Sequence, residues 1–166
     1  MQENLPKRRQ RGISAERELV RKLWKLGFAV VRGPASGAKI RRSVYPDVVA
    51  IKNRHIFVIE VKKRSKLDHI YIDRTQIEKL KEFARRAEGE AVIAVKVAEL
   101  RSWKIIPLDI IMNNTVEVSS EKIRIDKEMI KNAEDLIEYL RKRINVSLDA
   151  YTSKSSIHIK DGYDDV

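Results

Sequence analysis

The stretch Tyr45-Pro46-Asp47-Val48-Val49-Ala50-Ile51-Lys52-Asn53-Arg54-His55-Ile56-Phe57-Val58-Ile59-Glu60-Val61-Lys62 decides how this chain is read. Two β-like runs, 48–51 and 56–59, flank the polar turn 52–55, which is the pattern of a hairpin. Alternate side chains on a strand share a face, about 6–7 Å apart. Glu60 and Lys62 therefore continue the row of Ile56 and Val58, so two buriable hydrophobes are followed in phase by an acid and a base. Asp47 opens the partner strand, and pairing brings its carboxylate beside Glu60. Two carboxylates and an ammonium at a strand end suit a hard divalent cation and a phosphate group.

Upstream, Ser14 is a good N-cap for a helix that Gly27 closes, with an apolar stripe of Leu19, Val20, Leu23, Trp24 and Leu26. Glu16 shares the inward face of that helix with Val20 and Leu23, where a carboxylate needs a cation. Two readings stay open for it: a partner to a metal held by Asp47 and Glu60, or an acid complementing the first helical turn. Residues 28–31 read as a short strand. Residues 32–46 form a loop with two glycines and four basic side chains.

Downstream of the hairpin comes the basic run 62–66, then a helix from Asp73 in which Gln76 completes a capping-box pattern. The apolar run 91–97 reads as a central strand covered on both faces, and 103–107 as another strand. Residues 115–125 read as a short hairpin and 127–144 as one amphipathic helix. The chain is expected to divide into a flexible basic arm (1–11), a main domain carrying the candidate site (12–112), a C-terminal extension of hairpin and helix (113–145), and a disordered tail (146–166). The element order makes this an α/β chain with a mixed central β-sheet flanked by helices.

Composition narrows the partners. The chain has 166 residues, no cysteine and a formal charge of +11. That excludes disulfides, thiolate nucleophiles and cysteine-ligated metals. It fits a cytoplasmic location, and no membrane span or membrane partner is expected. Residues 1–96 hold 24 Lys and Arg against 11 Asp and Glu, whereas 97–166 hold 11 against 13. The basic excess thus surrounds the candidate site, and a one-sided positive field attracts polyanions such as DNA. The competing reading is a charge-rich surface of the thermophile kind.

Phosphodiester hydrolysis needs an activated water and a neutralised phosphate, which a divalent ion provides. Mg²⁺, with Mn²⁺ as a plausible substitute, asks for only one or two carboxylates. Asp47 and Glu60 can supply them, with the Val61 backbone carbonyl as a third ligand and Glu16 as a further candidate. Lys62 could orient water or stabilise phosphate charge. The competing reading of Glu60 and Lys62 is a same-face ion pair, since an isolated E-x-K is very common. His55 and His69 stand alone and read as turn residues.

Together, Pro46-Asp47, Glu60-Val61-Lys62 and helical Glu16 resemble the PD-(D/E)xK nuclease superfamily, and more narrowly the archaeal Holliday-junction resolvases. The resemblance runs through 12–19, 27–32, the hairpin, 82–86 and 91–96. It implies a restriction-endonuclease-like fold and a catalytic set of Glu16, Asp47, Glu60 and Lys62. It also implies an assisting loop serine, Ser36 first and Ser43 second, and DNA contacts at Arg17, Arg32 and Lys96. Lys7, Arg8, Arg9, Lys39, Arg41, Arg42, Lys63, Arg64, Lys66 and Arg86 join those contacts as a basic surface without a recognition-helix pattern. The implied activity is metal-dependent resolution of four-way junctions in recombination and repair. Its implied form is a homodimer, and the extension could dock a replication or recombination protein. The run Trp103, Ile105, Ile106, Leu108, Ile110 and Ile111 reads equally as interface or core. The alternatives are another nuclease of the superfamily acting on linear or damaged DNA, or a non-catalytic junction binder.

Overall fold

The computed structural model describes residues 5–34, 45–114 and 121–144, with side chains from Gly12 onward. Its elements are α1 (Leu5–Lys25), β1 (Ala29–Arg32), β2 (Val48–Lys52), β3 (His55–Arg64), β4 (Ile70–Asp73), α2 (Arg74–Arg86), β5 (Glu90–Val97) and β6 (Ser102–Pro107), followed by α3 (Leu108–Asn114), β7 (Lys122–Ile125), α4 (Lys127–Asn132), β8 (Glu134–Asp135) and α5 (Leu136–Ile144). Strands β1-β2-β3-β5-β6-β8 form one six-stranded mixed sheet, and β4 and β7 a separate ribbon.

The hairpin is β2–β3, in the register Val48 opposite Ile59 and Lys52 opposite His55. Its two turn residues, Asn53 and Arg54, both have positive φ, 49° and 67°. That is the turn whose twist matches the twist of the strands it joins. Strand β5 lies parallel to β3, with Glu60 opposite Ile93 and Lys62 opposite Val95. Parallel neighbours need a long crossover, here β4 and α2. The crossover returns the chain across the sheet, so the first turn of α2 stands at the end where β3 finishes.

Alternation along the strands divides the core. Val48, Ala50, Phe57, Ile59, Val61, Val92 and Ala94 bury against α1 and α5. Val58, Ile93, Val95 and Ile106 bury against α2, α3, α4 and the β4–β7 ribbon. Leu19 and Leu23 of α1 are fully buried, each contributing about 1.5–3 kcal/mol.

Several local expectations change. Helix α1 begins at Leu5, nine residues before the expected cap Ser14, so the backbone of 5–11 is helical rather than an aperiodic arm. Lys, Arg and Gln are good helix formers, and an internal serine does not stop them. Residues 122–125 pair with β4, Ile70 opposite Ile125, instead of folding back locally. The rest of the expected hairpin at 115–120 lies outside the described residues. The expected single helix 127–144 is split. Ala133 is extended, with ψ of 151°, and Glu134 and Asp135 pair with Ile105 and Lys104 at the edge of the main sheet. The extension is therefore part of the domain's core: Ile123, Ile125 and Ile130 enter one layer, and Leu136, Tyr139, Leu140 and Ile144 the other. The same arrangement accounts for the apolar run after residue 102. Trp103, Ile105, Ile106, Leu108 and Ile111 are core, while Ile110 is exposed. The expected tail at 146–166 lies outside the described residues.

Candidate active site

Asp47 precedes β2, and its position is set by backbone contacts on both sides. The Gly33 N–H donates to the Asp47 carbonyl at 2.8 Å. A Cβ at Gly33 would stand 2.2 Å from the Pro46 carbonyl oxygen, so only glycine permits this approach. On the other side, the Val61 N–H donates to Asp47 Oδ2 at 2.8 Å. The N–H and C=O of a strand residue face the same flank. The Val61 carbonyl therefore faces the Asp47 side, as a third oxygen ligand would have to.

Glu60 and Lys62 follow Ile56 and Val58 on the α2 side of β3, as their phase requires. Lys62 Nζ donates to Glu60 Oε1 at 2.7 Å. Glu60 is the one charged residue buried in the described part of the chain, at 6% exposure. Burial pushes its carboxyl up to about 7; the Lys62 ammonium opposes this, and the Asp47 carboxylate adds to it. Glu16 comes from the opposite layer, on α1, and meets the same strand end. Burial and then the Asp47 charge raise its carboxyl above the ordinary value, against Arg32 and Arg17. Arg32 Nη1 lies 3.4 Å from Glu16 Oε2. The inward reading of Glu16 thus matches its position, with an arginine beside it.

Gln76 was expected only as a cap. Asp73 does precede α2, but no side-chain bond caps the helix. The Gln76 amide donates instead to Glu60 Oε1 at 2.5 Å and accepts from Lys62 Nζ at 3.3 Å. The signal in the sequence was the spacing from Asp73, and it pointed to the helix rather than to the sheet.

The basic residues are placed unevenly. Lys63 and Lys96 are register neighbours at the site end of β3 and β5, and Arg17 and Lys66 are exposed. Arg64 Nη1 donates to the Lys63 carbonyl at 2.9 Å. Lys96 is bonded to Glu18 and lies 5.9 Å from the centre of the Trp103 ring. Burial raises the Glu18 carboxyl, but its bonds to Lys96 and Trp103 outweigh this and leave it below the ordinary value. Arg86 stands at the far end of α2, paired with Glu82 at 2.8 Å. Side chains of Lys7, Arg8 and Arg9, and all of Ser36, Lys39, Arg41, Arg42 and Ser43, lie outside the described residues.

Among the described residues, no three His, Cys, Asp or Glu side chains close into a ready cation cage. The donor set at Asp47 and Glu60 is two carboxylates held against their mutual repulsion, with a carbonyl on the same flank. Such hard oxygens fit an ion that takes few protein ligands and keeps its waters.

The model of the archaeal Holliday junction resolvase (Hjc) family matches residues 7–148. The crossover junction endodeoxyribonuclease Hjc of Sulfurisphaera tokodaii is 36% identical over 146 residues, covering 86% of this chain and 96% of that one. The Hjc of Sulfolobus acidocaldarius is 35% identical over 144 residues, covering 85% and 96%. The solved structure of Archaeoglobus fulgidus Hjc, a Holliday junction resolvase, superposes with a TM-score of 0.64 at 31% identity, over 77% of this chain and 98% of that one. The match to residue 148 takes in the segment 113–145, in agreement with the core positions of Ile123, Ile125, Ile130, Leu136, Tyr139, Leu140 and Ile144. The chain belongs to the archaeal Holliday junction resolvase family.

Proposed function

We propose that this chain resolves four-way DNA junctions as a homodimer, by paired, Mg²⁺-dependent nicks on opposing strands. The observation that carries the reading is the convergence of Asp47, Glu60 and Lys62 at one strand end, within a surface of net positive charge. Two adjacent carboxylates would repel a phosphate, so a pure DNA binder has no use for them. Asp47, Glu60 and the Val61 carbonyl would hold the ion. An ion held there, Mg²⁺ or, in its place, Mn²⁺, would neutralise phosphate charge and lower the pKa of a water. Lys62 donates to the scissile phosphate from the same face as Glu60. Glu16 and Arg32 border Asp47, where Glu16 orients water and Arg32 contacts a flanking phosphate. Ser36, with Ser43 as the second candidate, is the assisting serine. Arg17, Lys63, Lys66 and Lys96 supply phosphate contacts that read shape rather than sequence. A junction has approximate two-fold symmetry, and a C2 dimer presents two identical sites to it.

The test uses labelled four-way junction and matched duplex with wild type and Glu60→Gln, in Mg²⁺ or chelator. Symmetrically paired nicks that need both metal and Glu60 are expected. Duplex cutting as fast as junction cutting would keep the nuclease and discard the resolvase. Tight junction binding without metal-dependent cutting would leave a binding protein.

A further inference from the structure

Gln76 belongs to neither the carboxylate set nor the basic surface, yet its amide touches both Glu60 and Lys62. Lys62 also donates to the same Glu60 Oε1, so the three side chains close a triangle. The triangle fixes the amide's orientation. A flipped amide would set its carbonyl against a carboxylate and its NH₂ group against an ammonium. The base of the side chain is equally fixed, because Ile77 and Leu80 anchor the first turns of α2 in the core.

An unassisted Glu60–Lys62 pair would be poorly suited to hydrolysis. Each charge would satisfy the other, whereas the reaction needs the carboxylate turned to a cation and the ammonium turned to a phosphate. Breaking a buried ion pair leaves an unsatisfied group, which is costly. We propose that Gln76 is a positioning residue that keeps this pair separable. It offers Glu60 a neutral donor in place of Lys62, and offers Lys62 a neutral acceptor in place of Glu60. Either side chain can then leave the ion pair while its former partner stays hydrogen-bonded. This rests on the nuclease reading of the site and adds a residue to it.

The test compares Gln76→Met, which keeps the length and the packing but loses both hydrogen bonds, with Gln76→Ala. Gln76 is half-buried, and circular dichroism checks that both variants fold; if one fails, the other decides. Three quantities are read: Mn²⁺ affinity of the DNA-free protein by calorimetry, junction Kd in chelator, and single-turnover cleavage at saturating Mg²⁺. Both variants are expected to bind Mn²⁺ about 10-fold more weakly and to cleave roughly 10–100-fold more slowly. Junction Kd should stay within about two-fold of wild type, since Gln76 makes no phosphate contact in this scheme. Wild-type cation affinity and cleavage in Gln76→Met would overturn the proposal, whatever Gln76→Ala does, because packing alone would then explain the residue. Should wild type itself cut no junction, the nuclease reading fails, and the Mn²⁺ affinities still decide the role of Gln76.

Discussion

The two ends of the central strands each carry a glutamate, and the two are built in opposite ways. Glu90 opens β5. It accepts a bond from the Tyr139 hydroxyl and a bifurcated one from the Arg143 Nε–H, 3.0 Å to each carboxylate oxygen. The Arg143 guanidinium also lies 3.6 Å from the Tyr139 ring centre. Burial, and then the Glu90 carboxylate, hold the Tyr139 hydroxyl far above its ordinary range. Glu60, three strand residues past the residue that pairs with Glu90, is more deeply buried and faces a second carboxylate. Its cation is shared with an amide. A carboxylate matched by a guanidinium and a hydroxyl ties the structure together. A carboxylate set beside another one leaves a deficit of positive charge, which a divalent ion can fill.

Cleavage should break the comparison most sharply. Asp47→Asn and Glu60→Gln are expected to lower single-turnover junction cleavage by about 10³-fold or more with junction binding kept, while Glu90→Gln stays within a few-fold of wild type. Equal losses at both ends would erase the distinction. Stability should run the other way. Glu90→Gln removes the charge facing Arg143 and weakens the bond to Tyr139, which should cost about 1–3 kcal/mol, read by denaturant titration of the metal-free protein.

The pH dependence of stability sharpens the same contrast. The folded-state carboxyl of Glu60 sits at about 7 against an ordinary 4.5, so the folded chain holds a proton that the unfolded chain has already lost. Its contribution to stability is complete below about 4.5 and declines as pH rises through about 7. Relative to wild type, metal-free Glu60→Gln should therefore gain stability across that window and level off above it. A constant offset between the two denaturation curves from pH 4 to 8 would show that burial does not control this carboxyl.

The smallest effect is expected at Lys96. Glu18→Gln removes the charge that holds its ammonium and should tighten junction binding by about 2–5-fold, with a steeper salt dependence. An unchanged salt slope would place Lys96 off the DNA path.

Much of the site was legible before folding, because it is written in short-range pattern. Period-two alternation sets which side chains share a strand face, so Glu60 and Lys62 could be phased with Ile56 and Val58 from sequence alone. The polar turn 52–55 between the two runs sets the pairing, so Asp47 could be set beside Glu60. The helical period placed Glu16 inward. What failed was whatever depended on a distant partner. Ile70-Tyr71-Ile72 is too short to declare itself a strand until Ile123 and Ile125 pair with it. The helical pattern of 127–144 is broken because Glu134 and Asp135 are recruited to the edge of β6.

The sequence by itself determined the hairpin, the in-phase acid and base, the basic half of the chain and the family to which these belong. Only the tertiary structure decided that Gln76 turns from its helix to Glu60 and Lys62, that Lys96 is held by Glu18, and that the C-terminal segment closes both faces of the core. The reason is physical: periodicity and turn chemistry act over a few residues, whereas the partner of a buried polar group is chosen by which distant elements the core brings together.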